Sequence, residues 1–123
     1  MVAFVASTVL SAANLNAAFN QLTINAQTGT TYTLALTDQG GLVTLANASP
    51  IALTVPPFSG VAFAVGTQIG IVQTGAGQVT VAPGAGVTIT SYGSLVKLAG
   101  QGALGVLVKT GTNTWLLMGA LSA

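Results

Sequence analysis

The sequence predicts an all-β protein: a compact antiparallel β-sandwich or barrel of about eight short strands, with an N-terminal arm and one short helix. Three observations carry this. From Thr30 onward, apolar and small polar residues alternate at period two, the signature of half-buried strands. The alternating runs are short and are divided, at intervals of roughly 8 to 12 residues, by turns rich in glycine. Before Thr30 the spacing is helical instead. The expected organisation is therefore an arm over residues 1–29 and a β domain over residues 30–123.

Within the arm, Val2 to Val5 form an apolar lead-in that wants a partner strand or groove. The segment from Ser11 to Leu22 places Leu15, Phe19 and Leu22 four and three residues apart on one helical face, with Ser11 as N-cap. A helix over about 11–22 is marginal alone in water, so it must dock on its own domain or on a neighbour.

The β domain opens with Thr31–Leu36, which puts Tyr32, Leu34 and Leu36 on one face. Asp38-Gln39-Gly40-Gly41 supplies turn residues, and Leu42–Leu45 follows. Ile51–Val55 ends at Pro56-Pro57, where missing N–H donors and fixed φ stop a central strand. The loop from Phe58 to Gly66 is apolar for a loop.

Gln68–Gln73 and Gln78–Ala82 are expected to form a hairpin across Thr74-Gly75-Ala76-Gly77, and Pro83-Gly84-Ala85-Gly86 leads into Val87–Thr90. Ser94–Ala99, Leu104–Thr110 and Thr114–Met118 complete the set, the last two joined by the short connection Thr110-Gly111-Thr112-Asn113. The echo between Gly75–Val81 and Gly84–Thr90 reads as two short strands, each introduced by Gly-Ala-Gly. No fixed period holds across the chain, so a solenoid is not inferred.

Composition narrows the function. Of 123 residues only Asp38, Lys97 and Lys109 bear charged side chains, 2% of the chain, while 51% are hydrophobic. Soluble domains draw about 25% from charged residues. With a net charge of +1, colloidal repulsion is slight and association is favoured. Homo-oligomer burial accounts for this composition.

The length suits one domain. No run of about 20 apolar residues is available for a spanning helix: Ile51 to Val65 and Ala99 to Val108 are interrupted by proline, serine or glycine. The start, Met1-Val2-Ala3-Phe4, lacks the positive charge of a signal peptide, so the chain reads as soluble and unprocessed. Without cysteine there is no disulfide framework or thiolate nucleophile. Two isolated lysines do not supply the phosphate contacts of a nucleic-acid surface.

Catalytic chemistry has few carriers. Acid–base catalysis would have to draw on Asp38, Lys97, Lys109, Tyr32 and Tyr92, and neither paired carboxylates nor a Ser-His-Asp arrangement exists. No catalytic, cofactor-binding or metal residues are assigned, and no cofactor is expected. Asp38 reads as a carboxylate capping its own turn, with pairing to Lys97 or Lys109 across a subunit contact as the alternative. The two lysines read as solvated edge charges that discourage strand pairing, with binding to an acidic shell protein as the alternative. Trp115 and Tyr32 read as core aromatics, whereas Tyr92, between Ser91 and Gly93, is a loop aromatic free to face a glycan. The Gly-Ala-Gly elements lack the lysine and helix of a phosphate loop.

The segment from Thr8 to Asn20 resembles the opening found in many tail-fibre and other virion proteins of tailed bacteriophages. Thr30–Asp38 with Gly41–Leu45, then Leu53-Thr54-Val55-Pro56-Pro57, Phe63–Ile69 and Thr114-Trp115, resembles a small β module recurrent in phage structural proteins. This resemblance covers most of the chain and implies a virion structural role without catalytic residues. Met1 to Ala123 reads as a free-standing product. The expected function is therefore a non-enzymatic capsid decoration, or cement, protein on the capsid surface of a virion, assembled as a homotrimer against the major capsid protein.

A tail-fibre or minor tail component, with possible host-glycan adhesion, is the alternative. Nucleic acid and membrane are not expected partners. Phe4, Leu15, Phe19 and Leu22 are the expected assembly contacts, and multivalency would turn their weak apolar contacts into strong attachment.

Overall fold

The computed structural model describes residues 21–123. Eleven strands form two mixed sheets: β1 (Ile24–Gln27), β2 (Thr31–Thr33), β3 (Leu42–Leu45), β4 (Ile51–Val55), β5 (Gln68–Gln73), β6 (Val79–Pro83), β7 (Thr88–Ser91), β8 (Lys97–Leu98), β9 (Leu104–Gly111), β10 (Thr114–Gly119) and β11 (Leu121–Ser122). One sheet runs β1-β3-β5-β9-β10-β7 and the other β11-β8-β6-β4-β2. The all-β, sandwich-like class agrees with the sequence expectation.

The topology departs from it. Strands β1 to β6 alternate between the sheets, and within each sheet successive strands are parallel: β1, β3 and β5 in one, β2, β4 and β6 in the other. The chain thus winds through three flattened coils, where hairpins were expected. Gln68–Gln73 and Gln78–Ala82 form no hairpin, because Thr74–Gly77 is a corner that carries the chain from one sheet to the other. A corner and a hairpin turn draw on the same small residues, so local sequence does not separate them.

The absence of a fixed sequence period also has a structural reason. Residues in register are 18 apart from β1 to β3 (Ile24 to Leu42) but 28 apart from β3 to β5 (Leu42 to Gly70). The antiparallel expectation holds only for the final third. There β9 and β10 form the expected hairpin, β9 lies against β5, β8 against β6, and β11 against β8. Strand β7 ends the larger sheet, parallel to β10.

Corner stacking explains the small residues. The Asn47 side-chain amide donates to the Thr28 carbonyl of the coil before it (2.7 Å), and the Asn47 backbone carbonyl accepts from the Gly77 N–H of the coil after it (2.7 Å). At Gly77 a Cβ would land on the Ser49 carbonyl oxygen, so only glycine lets these corners approach.

Inward residues of both sheets build one core, including Val43, Leu45, Leu53, Ile71, Val81 and Leu107. Phe63, from the apolar loop, is fully buried and meets Trp115 edge to face at 5.4 Å and 87°, a favoured aromatic geometry. Several boundaries differ from expectation. The strand starting at Thr31 ends at Thr33, Leu34 is buried beyond it, and Leu36 turns outward in a 3-10 turn. Of the expected 94–99 strand, Ser94 belongs to a 3-10 turn over Tyr92–Ser94 and β8 covers Lys97–Leu98, with Val96 and Ala99 bonded to Val81 and Ala120 on either side of it. Ile24–Gln27, placed in the arm by sequence, is a paired strand.

Candidate assembly surface

The two outward faces differ in chemistry. Across the larger sheet, one register row runs Ile24, Leu42, Gly70, Val106, Met118 through five strands. Its neighbouring outward positions include Val72, Leu104, Val108 and Leu116. The corresponding row of the smaller sheet reads Thr31, Ala52, Thr80, Lys97, Ser122. The first face is uncharged and mainly aliphatic, with Thr44, Gln68 and Thr90 among its outward positions; the second is short and polar. Ile24 is 55% exposed and Met118 48%. Soluble monomers rarely leave so contiguous an apolar patch in water.

The aliphatic face is notched. Gly70 contributes no side chain to the middle of its row, and the ends of Leu42 and Leu104 lean over it, 3.0 and 4.0 Å from where a Cβ would stand. A groove of about 440 Å³ results, lined by Leu22, Leu42, Gln68, Gly70, Leu104 and Val106. Leu22 is the one expected assembly contact among the described residues. It is exposed at the groove rim and lies, with Gln21, outside any helix. Phe4, Leu15, Phe19 and the rest of the expected 11–22 helix lie outside the described residues.

Of the three charged side chains, two are withdrawn from the surface. Asp38 is 4% exposed. Its carboxylate accepts from the Tyr32 hydroxyl at 2.6 Å, the Ala35 N–H at 2.8 Å and the Asn25 amide at 2.9 Å. The Asn25 amide also donates to the Tyr32 oxygen, and Gln27 donates to Asn25. The turn-capping role read from sequence is present, inside a larger network. Asn25 and Gln27 alternate with the exposed Ile24 and Ala26, so the first coil is filled by hydrogen bonds where later coils hold aliphatics. Burial, then the hydrogen bond and charge of Asp38, push the Tyr32 hydroxyl up to about 12.

Lys109 corrects the reading of a solvated lysine. It is 2% exposed, and its ammonium donates to the Phe63 carbonyl at 2.7 Å. It stands 4.6 Å from the Phe58 ring centroid and 6.0 Å from that of Trp115, within cation–π range. Strand alternation carries Lys109 inward with Gly105 and Leu107, and it pairs across the hairpin with the buried Trp115. That parity was the signal available in the sequence. Burial lowers the Lys109 amine from the ordinary lysine value. Its work is to pin the 56–67 loop, which is also held by Gly66 N–H to the Lys109 carbonyl (2.7 Å) and Phe58 N–H to Asn113 (2.8 Å).

Lys97 points outward from the smaller sheet, half-buried, on a strand flanked by β6 and β11. It is not on an edge strand, which removes the edge-protection reading. Tyr92 is 91% exposed on its 3-10 turn. It borders a second depression of about 240 Å³ with Leu95, Met118 and Leu121. Trp115 is a core residue, as expected. Among the described residues no group of three or more His, Cys, Asp or Glu side chains converges, and no helix is long and apolar enough to cross a membrane.

No protein-family model matches the chain, and no curated protein matches its sequence.

Proposed function

We propose that this chain is a non-enzymatic structural protein of a virion, a capsid decoration protein that works as a symmetric homo-oligomer, with a trimer as the expected form. One observation carries the reading: an uncharged aliphatic sheet face stands opposite a polar one in a chain that buries two of its three charged side chains. Such a face is stable when covered, and contact among copies covers it at no cost in charge desolvation. Lys97 and the threonine face then turn toward solvent or the shell. The cluster would attach to the major capsid protein through many weak contacts, multiplied by the number of copies.

Light scattering on the purified chain, followed by co-sedimentation with particles that lack it, tests the proposal. A stable oligomer that binds in high copy supports it. A monomer that leaves the particles bare overturns it. A tail or fibre component with glycan adhesion is the second reading, favoured by the exposed Tyr92 ring beside its depression. A carbohydrate ligand lost on Tyr92→Ala, with scarce copies at the tail, would favour that reading over decoration.

A further inference from the structure

We infer that the groove at Gly70 is the seat of the chain's own N-terminal segment, with Phe19 in the notch and Leu15 beside it. The inference rests on the assembly reading only in taking the segment before residue 21 as a contact element. It divides the aliphatic face into a part closed within the chain and a part left for a neighbour.

Reach selects the occupant. Leu22 already lines the groove, and Phe19 precedes it by three residues, which span at most about 10 Å. Crossing from β1 to β5, where Gly70 forms the notch, takes two strand spacings, also about 10 Å. With residues 19–22 extended, as the non-helical Gln21 and Leu22 allow, Phe19 of the same chain would be within reach of the notch. A neighbour's Phe19 reaches it only if that neighbour's Leu22 stands as close, at the same rim.

Chemistry agrees with reach. The groove walls are leucine and valine side chains with glycine at the base and one amide, Gln68, and they match an aromatic–aliphatic pair without charge. A helical spacing of four residues covers about 6 Å along the axis, close to the roughly 4.8 Å between neighbouring strands, so the inferred placement would set Phe19 over β5 and Leu15 toward β9. Once the groove is filled, Val108, Leu116 and Met118 remain uncovered, continuous with the depression beside Tyr92. That remainder is what a second copy would meet.

A cysteine-free chain makes the test direct. Phe19→Cys is combined with Gln68→Cys at the groove and, separately, with Thr31→Cys, which points outward from the other sheet. Each full-length protein is mildly oxidised, run without reductant and weighed by mass spectrometry, and its solution mass is measured. The expected result is a link within one chain, losing two hydrogens, for the Gln68 pair and little for the Thr31 pair. A link between chains, equal linking of both pairs, or none with Gln68 overturns the inference. If the groove link fails while the oligomer persists, the assembly reading stands alone. If the link forms in a monomer, the groove assignment stands and the assembly reading falls.

Discussion

Removing one oxygen atom, by Tyr32→Phe, tests how the first coil is held. The substitution leaves the ring in its place against Leu53 across the β2–β4 pair and deletes the shortest bond to a buried carboxylate, the 2.6 Å contact with Asp38. It also takes away one acceptor of the Asn25 amide. A hydrogen bond to a charged group contributes about 1.5–3 kcal/mol, so at pH 7 the variant should lose about 2 kcal/mol. The pH dependence follows from the raised hydroxyl. The unfolded tyrosine gives up its proton near 10 and the folded one near 12.

Below pH 10 both states are protonated and the full contribution is present. Between 10 and 12 the unfolded state alone releases a proton, so stability falls as pH rises. Two pH units would correspond to about 2.7 kcal/mol for a fully buried group. Tyr32 is only partly buried, and solvent screening reduces the expected fall to about 1–1.5 kcal/mol. Urea denaturation of both proteins at pH 7, 9.5, 11 and 12 gives the comparison: a gap near 2 kcal/mol at neutral pH that narrows to below about 1 by pH 12. A gap under about 0.5 kcal/mol at pH 7, or equal alkaline slopes in the two proteins, would refute the reasoning.

Lys109 predicts the opposite slope at lower pH. Its amine is lowered by burial, so between that lowered value and the ordinary 10.5 the unfolded state holds more protons and stability rises with pH; Lys109→Met should flatten this rise in the same titration. Lys109→Ala leaves the Phe63 carbonyl without its donor and a void beside Trp115, and should cost about 3–4 kcal/mol. Met retains the stem and should recover at least half, as read from the shift in urea midpoint. Gly77→Ala drives a methyl group into the Ser49 carbonyl of the adjoining corner and should lose at least about 2 kcal/mol, whereas Ala76→Ser at the exposed tip stays within about 0.5 kcal/mol. If the chain assembles as proposed, Met118→Lys should lower its solution mass and Thr80→Lys on the polar face should leave it unchanged; equal effects would remove the distinction between the faces.

The sequence was informative where a strand buries alternate aliphatics. Ile51–Val55 and Gln68–Gln73 appear with the expected limits, and the hairpin at Gly111 to Thr114 is where its turn residues placed it. Legibility failed in three ways that share a cause. Parallel and antiparallel strands present the same alternation, so nothing in Leu42–Leu45 or Gln68–Gln73 announces that they run side by side in the same direction. Ile24–Gln27 turns Asn25 and Gln27 inward and Ile24 and Ala26 outward, so its alternation is inverted relative to a strand with an apolar core face. Lys109 looked like a strand-end charge because its partners, the Phe63 carbonyl and the Phe58 ring, arrive from a loop some 50 residues earlier in the chain. Each miss turns on partners distant in the chain: parity alone places Lys109 inward, but what receives it there is not encoded locally.

The same topology explains the shortage of charge. In a wound stack, equivalent outward positions of successive coils stand in line about 4.8 Å apart. Like charges on such a row repel by about 1 kcal/mol even at the dielectric of water, and charges of opposite sign gain little when exposed. Threonine and alanine fill the row from Thr31 through Ala52 to Thr80 without that penalty, and Lys97 stands only at its far side, beyond the last parallel strand. On the larger sheet the corresponding row has gone further, to leucine, valine and methionine. Avoiding like-charge rows accounts for a neutral face but not for an apolar one, because threonine would have served both sheets equally. The difference between the faces is thus unexplained by the packing of residues 21–123 among themselves, and a covering surface, the preceding segment of the chain or another copy, is what both proposals supply.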